Sequence, residues 1–512
     1  MGTTQAADGI NRVAITLCVM VASLMQALDT TIANVALPYM QGSVAASQDE
    51  IAWVLTSYIA AAAIMTPPTG FFAARFGVKR TFLVSVGGFT IASMLCGMAQ
   101  SLLQIVAFRI LQGVFGAALV PLSQSVLLNI YPKERQGSAM AWWGVAVMAG
   151  PVLGPVLGAW LTYDFEWRYV FYINLPIGIL TFLGMVAFLP GAERNNGAKL
   201  DWLGFATLSI AIGAMQILLD RGEEKDWFGS GEIWIEAIIA ASAFYLFLVH
   251  TFTAKDPFVR PSLFRDRNFT AGMIFIAIVG LTYYASLALQ PPYLQDLLGY
   301  PVVTAGLVMG PRGIGTMAAM LVAGRLVGRI NIRILLGTGL GLTAWSFYEM
   351  TGWTPDVSET TVVVLGIVQG LGLGLLFTPL SVATLSSLPS EQRADGAGLF
   401  SLSRNVGSSV GISAVNSLLV VNTQINHADI AQHVTAVNRV FEDPTIAQYW
   451  NPVTAAGRAA LDAVVTRQAE IIAYIDNYKL LMIATLVAIP LLIVFTKRSA
   501  GSSREEHTLA ME

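Results

Sequence analysis

The sequence predicts an all-α integral membrane protein, and three observations carry that prediction. Fourteen apolar stretches fill the chain, each close to the ~20 residues a helix needs to cross a bilayer. Basic residues crowd every second connection between them. The second half of the chain echoes the first at a nearly fixed offset.

The spans read, in order, as residues 13–38, 51–73, 81–99, 104–128, 137–160, 168–189, 200–219, 232–254, 268–291, 302–327, 332–351, 361–387, 395–421 and 478–497. The chain is 55% hydrophobic and 12% charged, which excludes an ordinary soluble enzyme. The runs are too long for barrel strands and do not alternate as those do. The first stretch is also too long for a signal-peptide core and stays as the first helix. Cys18 and Cys96 both fall inside spans, so there is no disulfide framework and no metal site. A net charge of −3 points to no nucleic-acid partner. The location of the charge says more: 19 of the 29 basic residues lie in the N-terminus, the alternate loops and the C-terminus. The positive-inside rule places those parts, and so both termini, in the cytoplasm.

The repeat orders these spans. Gln112-Gly113 recurs as Gln369-Gly370, Pro132 and Glu134 as Pro389 and Glu391, and Gly150 and Gly154 as Gly407 and Gly411, all offset by 257. Gly70 and Arg75 recur as Gly324 and Arg329, offset by 254. Spans one to six therefore correspond to spans nine to fourteen, and spans seven and eight are an inserted pair. The expected division is a six-helix bundle over 1–190, the inserted pair with its linkers over 191–262, and a second six-helix bundle over 263–512. Parallel halves of this kind build many secondary transporters, which bind small-molecule substrates between the halves near the midplane. The polar segment 422–477 falls outside, and Ala455–Tyr474 within it suits a short amphipathic helix. The polar tail from Ser499 to Glu512 reads as disordered and cytoplasmic.

No phosphate-binding Gly-x-x-x-x-Gly-Lys-Ser/Thr loop occurs, and no soluble stretch is long enough for a nucleotide-binding domain. No nucleophile–base constellation suggests an enzyme. His250 lies near the cytoplasmic end of span eight and reads as interfacial. An ion gradient is then the remaining energy source, with no cofactor.

Asp29 is the central acid. It lies roughly 13 Å by helical rise from the outer end of span one. A carboxylate at that depth is costly and is a functional candidate by default. Its alternatives are proton or cation exchange, or a permanent structural pairing. Arg109 enters span four about one turn from the outer side, where it can reach toward Asp29 or snorkel to the surface. Its repeat counterpart is Gly366, so the charge breaks the internal symmetry.

Span five carries Gly150, Gly154 and Gly158 at helical spacing with Pro151 and Pro155 among them. Small residues on one face permit close helix approach and prolines bend the helix, which suits a gate between the halves or static close packing. Gly70, Arg75, Gly77, Lys79 and Arg80 form a short cytoplasmic turn whose cations can reach helix C-termini of neighbouring spans. Candidates for the substrate cavity are Asn34, Gln112, Trp142, Tyr283, Tyr284, Arg312 and Arg404. The two arginines of the second half line the cavity, pack, or pair with acids such as Asp29.

These residues resemble the major facilitator superfamily, in particular its fourteen-span drug:proton antiporters of the EmrB/QacA type. Leu28-Asp29-Thr30-Thr31-Ile32-Ala33-Asn34-Val35-Ala36-Leu37-Pro38 is similar to that group's span-one signature. Arg109-Ile110-Leu111-Gln112-Gly113 resembles its proton-coupling motif, and Gly150-Pro151 through Gly158 its antiporter motif. Trp167-Arg168 with Ile173-Asn174-Leu175-Pro176-Ile177-Gly178, and Leu219-Asp220-Arg221-Gly222 with Asp226-Trp227-Phe228, resemble the EmrB branch. One departure stands out: Ala74 occupies a position that is usually acidic, so a gate salt bridge using that acid is absent or replaced.

The resemblance implies the major facilitator fold, two six-helix bundles plus two inserted helices, in the inner membrane. It implies proton-driven export of lipophilic or amphipathic compounds by alternating access, with Asp29 and Arg109 coupling the proton. It also implies a periplasmic adaptor and an outer-membrane channel as partners. An exporter of one metabolite, siderophore or lipid, an uptake symporter, and a non-transporting receptor or scaffold are the alternatives.

Overall fold

The computed structural model describes residues 11–191, 199–435, 441, 443, 446 and 449–495. The linker residues 192–198, Pro444 and the tail Ser499–Glu512 lie outside the described residues. Among the described residues the regular elements are helices, with one isolated bridge between Val327 and Ile330. Twelve described helices are long and apolar enough to cross a membrane. Of the other two expected spans, one is broken and the other, 19 residues long, is less apolar. Span two divides into Trp53–Met65 and Thr69–Phe76, and span eleven is Ile332–Met350. Pro67 and Pro68 explain the break, because neither can donate a backbone hydrogen bond to the preceding turn.

Local chemistry sets many helix starts. Asn11 caps span one by accepting from the Ala14 N–H, and Ser101 does the same for span four at Gln104. Asp201, Ser230, Asp266 and Ser358 cap spans seven, eight, nine and twelve. Such caps satisfy N–H groups that the first helical turn leaves without partners. Gly77 joins span two to span three at φ 87°, a left-handed conformation that a side chain would strain.

The two halves repeat one packing scheme. Span one (Arg12–Val44) packs on span five (Lys133–Asp164), and span nine (Arg267–Pro292) packs likewise on span thirteen (Arg393–Ala431). Spans two and three meet span four (Leu102–Gly116 and Leu119–Ile130), as spans ten (Val302–Leu326) and eleven meet span twelve (Glu359–Ser386). The inserted helices, span seven (Trp202–Arg221) and span eight (Gly231–Thr253), pack together, and span seven leans on spans two and thirteen. His250 of span eight bonds to Asp201, the N-cap of span seven, at 2.8 Å, which joins the pair at one end.

Across the halves, span five packs along span ten and span four against span thirteen. Trp143 of span five stacks on Phe377 of span twelve with centroids 6.1 Å apart. One buried apolar cluster runs from Val19 through Trp143 to Phe377 and Leu380, so the core is continuous between the halves.

The segment after span thirteen differs from expectation. Ala455–Tyr474 is not a separate short helix but the start of a 34-residue helix, Ala455–Ala488, that continues into span fourteen. The sequence from 455 to 488 contains no proline, so nothing interrupts the helix. Span thirteen likewise runs 39 residues, to Ala431, and His427 on its extension bonds to Asp462 at 2.9 Å. Much of the 422–477 connection is therefore paired helix.

At the basic face, cations answer carbonyls at helix C-termini. Lys79 donates to the Val186 carbonyl near the end of span six (Asn174–Phe188) at 2.8 Å. Arg333 binds the Phe495 carbonyl beyond span fourteen, and Arg393 donates to Leu128 and Asn129 at the end of span four. Positive charge there complements the helix dipole.

Candidate functional site: a buried carboxylate clamp in the first bundle

Five spans of the first bundle converge on Asp29. Arg109 of span four donates to Asp29 Oδ2 at 2.6 Å. Gln112, one turn further along span four, donates its amide to Asp29 Oδ1 at 2.7 Å, and Asn174 of span six donates to the same oxygen at 3.0 Å. Both members of the ion pair are 0% exposed. The helical spacing of Arg109 and Gln112 places both on one face, where Arg109 also donates to Gln112 Oε1 at 2.8 Å.

A second ring of groups holds the clamp. Arg109 Nε donates to the Val54 carbonyl at 3.0 Å, and its guanidinium lies 4.1 Å over the Tyr58 ring, both on span two. Ser93 of span three accepts from Asn174 at 2.9 Å and donates to the Phe171 carbonyl at 2.9 Å. Arg109 therefore does not snorkel to the surface. In the low dielectric of this core a lone charge would be very costly, and the pair with its amide partners compensates the two charges, while the Arg109 NH2 stays buried without a hydrogen-bond partner. Chemically, the carboxylate is an acceptor at both oxygens. Protonation at Oδ2 would turn that oxygen into a donor and break the contact with Arg109.

The span-five glycines approach a different partner from the one their motif suggests as a gate. Gly150 sits against Ala27 and Leu28 of span one, Gly154 against Thr31, and Gly158 against Ile32 and Val35. The seam lies within the first half and grips the helix that carries Asp29. Thr31 donates to the Gly150 carbonyl at 3.2 Å across it. Pro151 and Pro155 sit inside an unbroken helix. The opposite side of span five faces the second half, with Val152 against Gly313 and Gly144 against Met320, both of span ten. The same close seam recurs in the second half, where Gly407 and Gly411 meet the Ala277 and Leu281 carbonyls of span nine.

The other candidates separate. Gln112 belongs to the buried clamp. Trp142 is 51% exposed, while its neighbour Trp143 is fully buried and donates to Ser23 at 2.9 Å. A one-residue step turns a helix by about 100°, so only one of the two can face the other half. Asn34 is exposed, and Tyr284 is half-buried with its ring 5.3 Å from Tyr283. Arg312 does not pair with Asp29. It donates to Gln290 at 3.0 Å and lies 4.4 Å over the Tyr283 ring. Arg404 donates to Asn405 at 3.3 Å. Beside the cytoplasmic-turn motif, Gly70 packs directly on the Asp395 carboxylate at the start of span thirteen. An acid from the opposite half thus lies one turn from Ala74, while Arg80 is exposed.

Sequence reasoning left Asn174, Ser93 and Tyr58 without a role. Asn174 and Ser93 carried a detectable signal, polarity within an apolar span, but nothing local ties residue 174 to residue 29.

Residues 19–412 match the sequence profile of the Major Facilitator Superfamily. The chain is 36% identical to the multidrug export protein EmrB of Haemophilus influenzae, over 83% of this chain and 84% of that one. It is 38% identical to the fatty acid resistance protein FarB of Neisseria gonorrhoeae, over 82% and 83% of the two chains. Among solved structures, the fold resembles the human organic anion transporter MFSD10, with a TM-score of 0.59 over 93% of this chain and 99% of that one at 14% identity. It resembles the proton:xylose symporter XylE similarly, with a TM-score of 0.58 over 92% and 96% at 13% identity. The chain belongs to the Major Facilitator Superfamily and, within it, to the branch of the EmrB multidrug export proteins. It is a multi-pass membrane protein of a transporter family, with small-molecule substrates and membrane lipid as its partners.

Proposed function

We propose that the protein exports lipophilic or amphipathic compounds across the inner membrane, driven by protons that are taken up and released at Asp29. The observation that carries this reading is the fully buried Asp29–Arg109 contact on a helix gripped by span five. Protonating Asp29 releases Arg109 and Gln112 from the carboxylate and changes the fit of span one. The glycine seam passes that change to span five, whose far side packs on span ten. The bundles 1–190 and 263–512 then exchange access, with 191–262 as a lateral pair.

Each proton moving down 100 mV contributes about 2.3 kcal/mol, enough for roughly 50-fold accumulation of cargo. The gradient is the energy source and no cofactor enters. The relatives named multidrug export proteins support the export direction and the broad cargo. Both termini lie in the cytoplasm on this reading. In a cell with two membranes, cargo released at the outer face passes to a periplasmic adaptor and an outer-membrane channel. A second reading, export of one class of lipid-like acid, draws on the similarity to a protein named for fatty acid resistance.

The test is Asp29→Asn in proteoliposomes. The amide keeps size and hydrogen bonding but cannot exchange a proton. Normal insertion with loss of export against a gradient is expected, along with loss of proton release on cargo binding. Undiminished pumping by the variant would place the coupling group elsewhere.

A further inference from the structure

Among the described residues, the second bundle carries a buried cation, Arg312, with no acid paired to it. The repeat makes the contrast quantitative. At an offset of 257, Ser286 stands for Asp29, Gln369 for Gln112 and Gly366 for Arg109, and Gln369 donates to Ser286 at 3.2 Å much as Gln112 does to Asp29. At the span-two offset of 254, Arg312 stands for Tyr58. The first bundle thus holds one cation against one carboxylate. The second keeps a cation, moved to span ten, and has a serine where the carboxylate would be.

Arg312 is 3% exposed, and it forms no ion pair among the described residues. Its partners are neutral. NH1 donates to Gln290 at 3.0 Å, NH2 makes a long contact with the Tyr283 carbonyl at 3.4 Å, and the Tyr283 ring covers the guanidinium. Nε is buried and has no partner at all. The Nε–NH2 edge, the side of a guanidinium that grips a carboxylate with two parallel N–H bonds, therefore holds one free donor beside one long contact. A Cβ at Gly366, where the first bundle has the Arg109 side chain, would meet Arg312 Cβ at an ordinary 3.6 Å and nothing nearer. Arg404 of span thirteen adds a second cation at similar depth, and its Nε is also buried and unpartnered.

We infer that Arg312 binds the anionic head of the cargo, and that the protein selects amphipaths carrying a single carboxylate or equivalent organic anion. Tyr283 and Tyr284 flank the head, and the apolar body lies between the bundles where spans five and ten part during the transport cycle. A desolvated cation with a free Nε favours an anion over its neutral isostere, since no carboxylate among the described residues pairs with it. The inference deepens the export reading and rests on it for the direction of transport, but not for the binding preference.

The experiment compares two probes of nearly equal shape, 2-naphthoate and the neutral 2-naphthamide, by equilibrium binding to the purified full-length chain in nanodiscs without a gradient. Wild type is expected to bind naphthoate about tenfold or more tightly than the amide. Arg312→Gln is expected to bring the ratio close to one while leaving naphthamide binding intact. Arg312→Lys keeps a smaller preference, because a point charge cannot form the paired bonds. Equal binding of the two probes by wild type overturns the proposal, as does an undiminished preference in Arg312→Gln. If the glutamine variant fails to fold, the wild-type ratio and the lysine variant decide. A preference for naphthoate in a protein that does not export sinks the export reading alone. Export of neutral compounds without that preference sinks this inference alone.

Discussion

Gly154 of span five meets Thr31 of span one so closely that a Cβ on the glycine would overlap the threonine hydroxyl. Asp29 lies two residues before Thr31 on the same helix. The carboxylate and the seam are therefore parts of one rigid element, and a change of fit at one is felt at the other.

Gly154→Val tests that coupling. Forcing a branched side chain against Thr31 costs about 1–3 kcal/mol, the usual price of overpacking. The expected outcome is an inserted protein with a lower melting temperature and export reduced at least tenfold. Unchanged export would mean that span one and span five need not stay in contact.

The ion pair separates stability from coupling. Arg109→Gln leaves Asp29 buried beside a neutral partner and should destabilise the fold by about 3–5 kcal/mol. Adding Asp29→Asn removes the orphaned charge and should restore most of that loss. Neither the single nor the double variant is expected to pump. Thermal unfolding in detergent alongside proteoliposome transport checks both statements, and a double variant that pumps would remove the pair from the mechanism.

Val152 and Gly313 offer a lock between the halves. A Cβ built at Gly313 lies 3.5 Å from Val152 Cβ, within the range disulfides adopt. Val152→Cys with Gly313→Cys, in a background lacking Cys18 and Cys96, should crosslink under mild oxidation and stop export, and reductant should restore it. A crosslinked protein that still exports would show that spans five and ten do not part during the cycle.

Orientation is open to labelling. Cysteines at Ser47 and Gln424 should react with an impermeant thiol reagent in intact cells, and one at Glu391 on the basic face should react only after lysis. The reverse pattern would invert the topology.

Much of this was legible in the sequence, because the bilayer imposes a rule that acts on single segments. A membrane helix must satisfy its backbone internally and present apolar side chains to lipid, so length and hydropathy reveal it without knowledge of neighbours. The repeat was legible for a related reason. Gln112-Gly113 and Gln369-Gly370 do the same packing work in each half, and the close seams at Gly154 and Gly411 do likewise.

Tertiary structure alone decided what those residues touch. The glycine face of span five could equally have met the other half, and it meets span one. Trp143 rather than Trp142 faces span twelve, a choice fixed by how the helix is rotated about its axis. Asn174 reaches Asp29 across 145 residues of sequence, a contact no local pattern encodes. Arg109 and Arg312 are both arginines deep in apolar helices, and composition treats them alike. Their different fates, one bound to a carboxylate and the other held by neutral groups, arise because burial makes the cost of a charge depend on the few atoms within hydrogen-bonding reach.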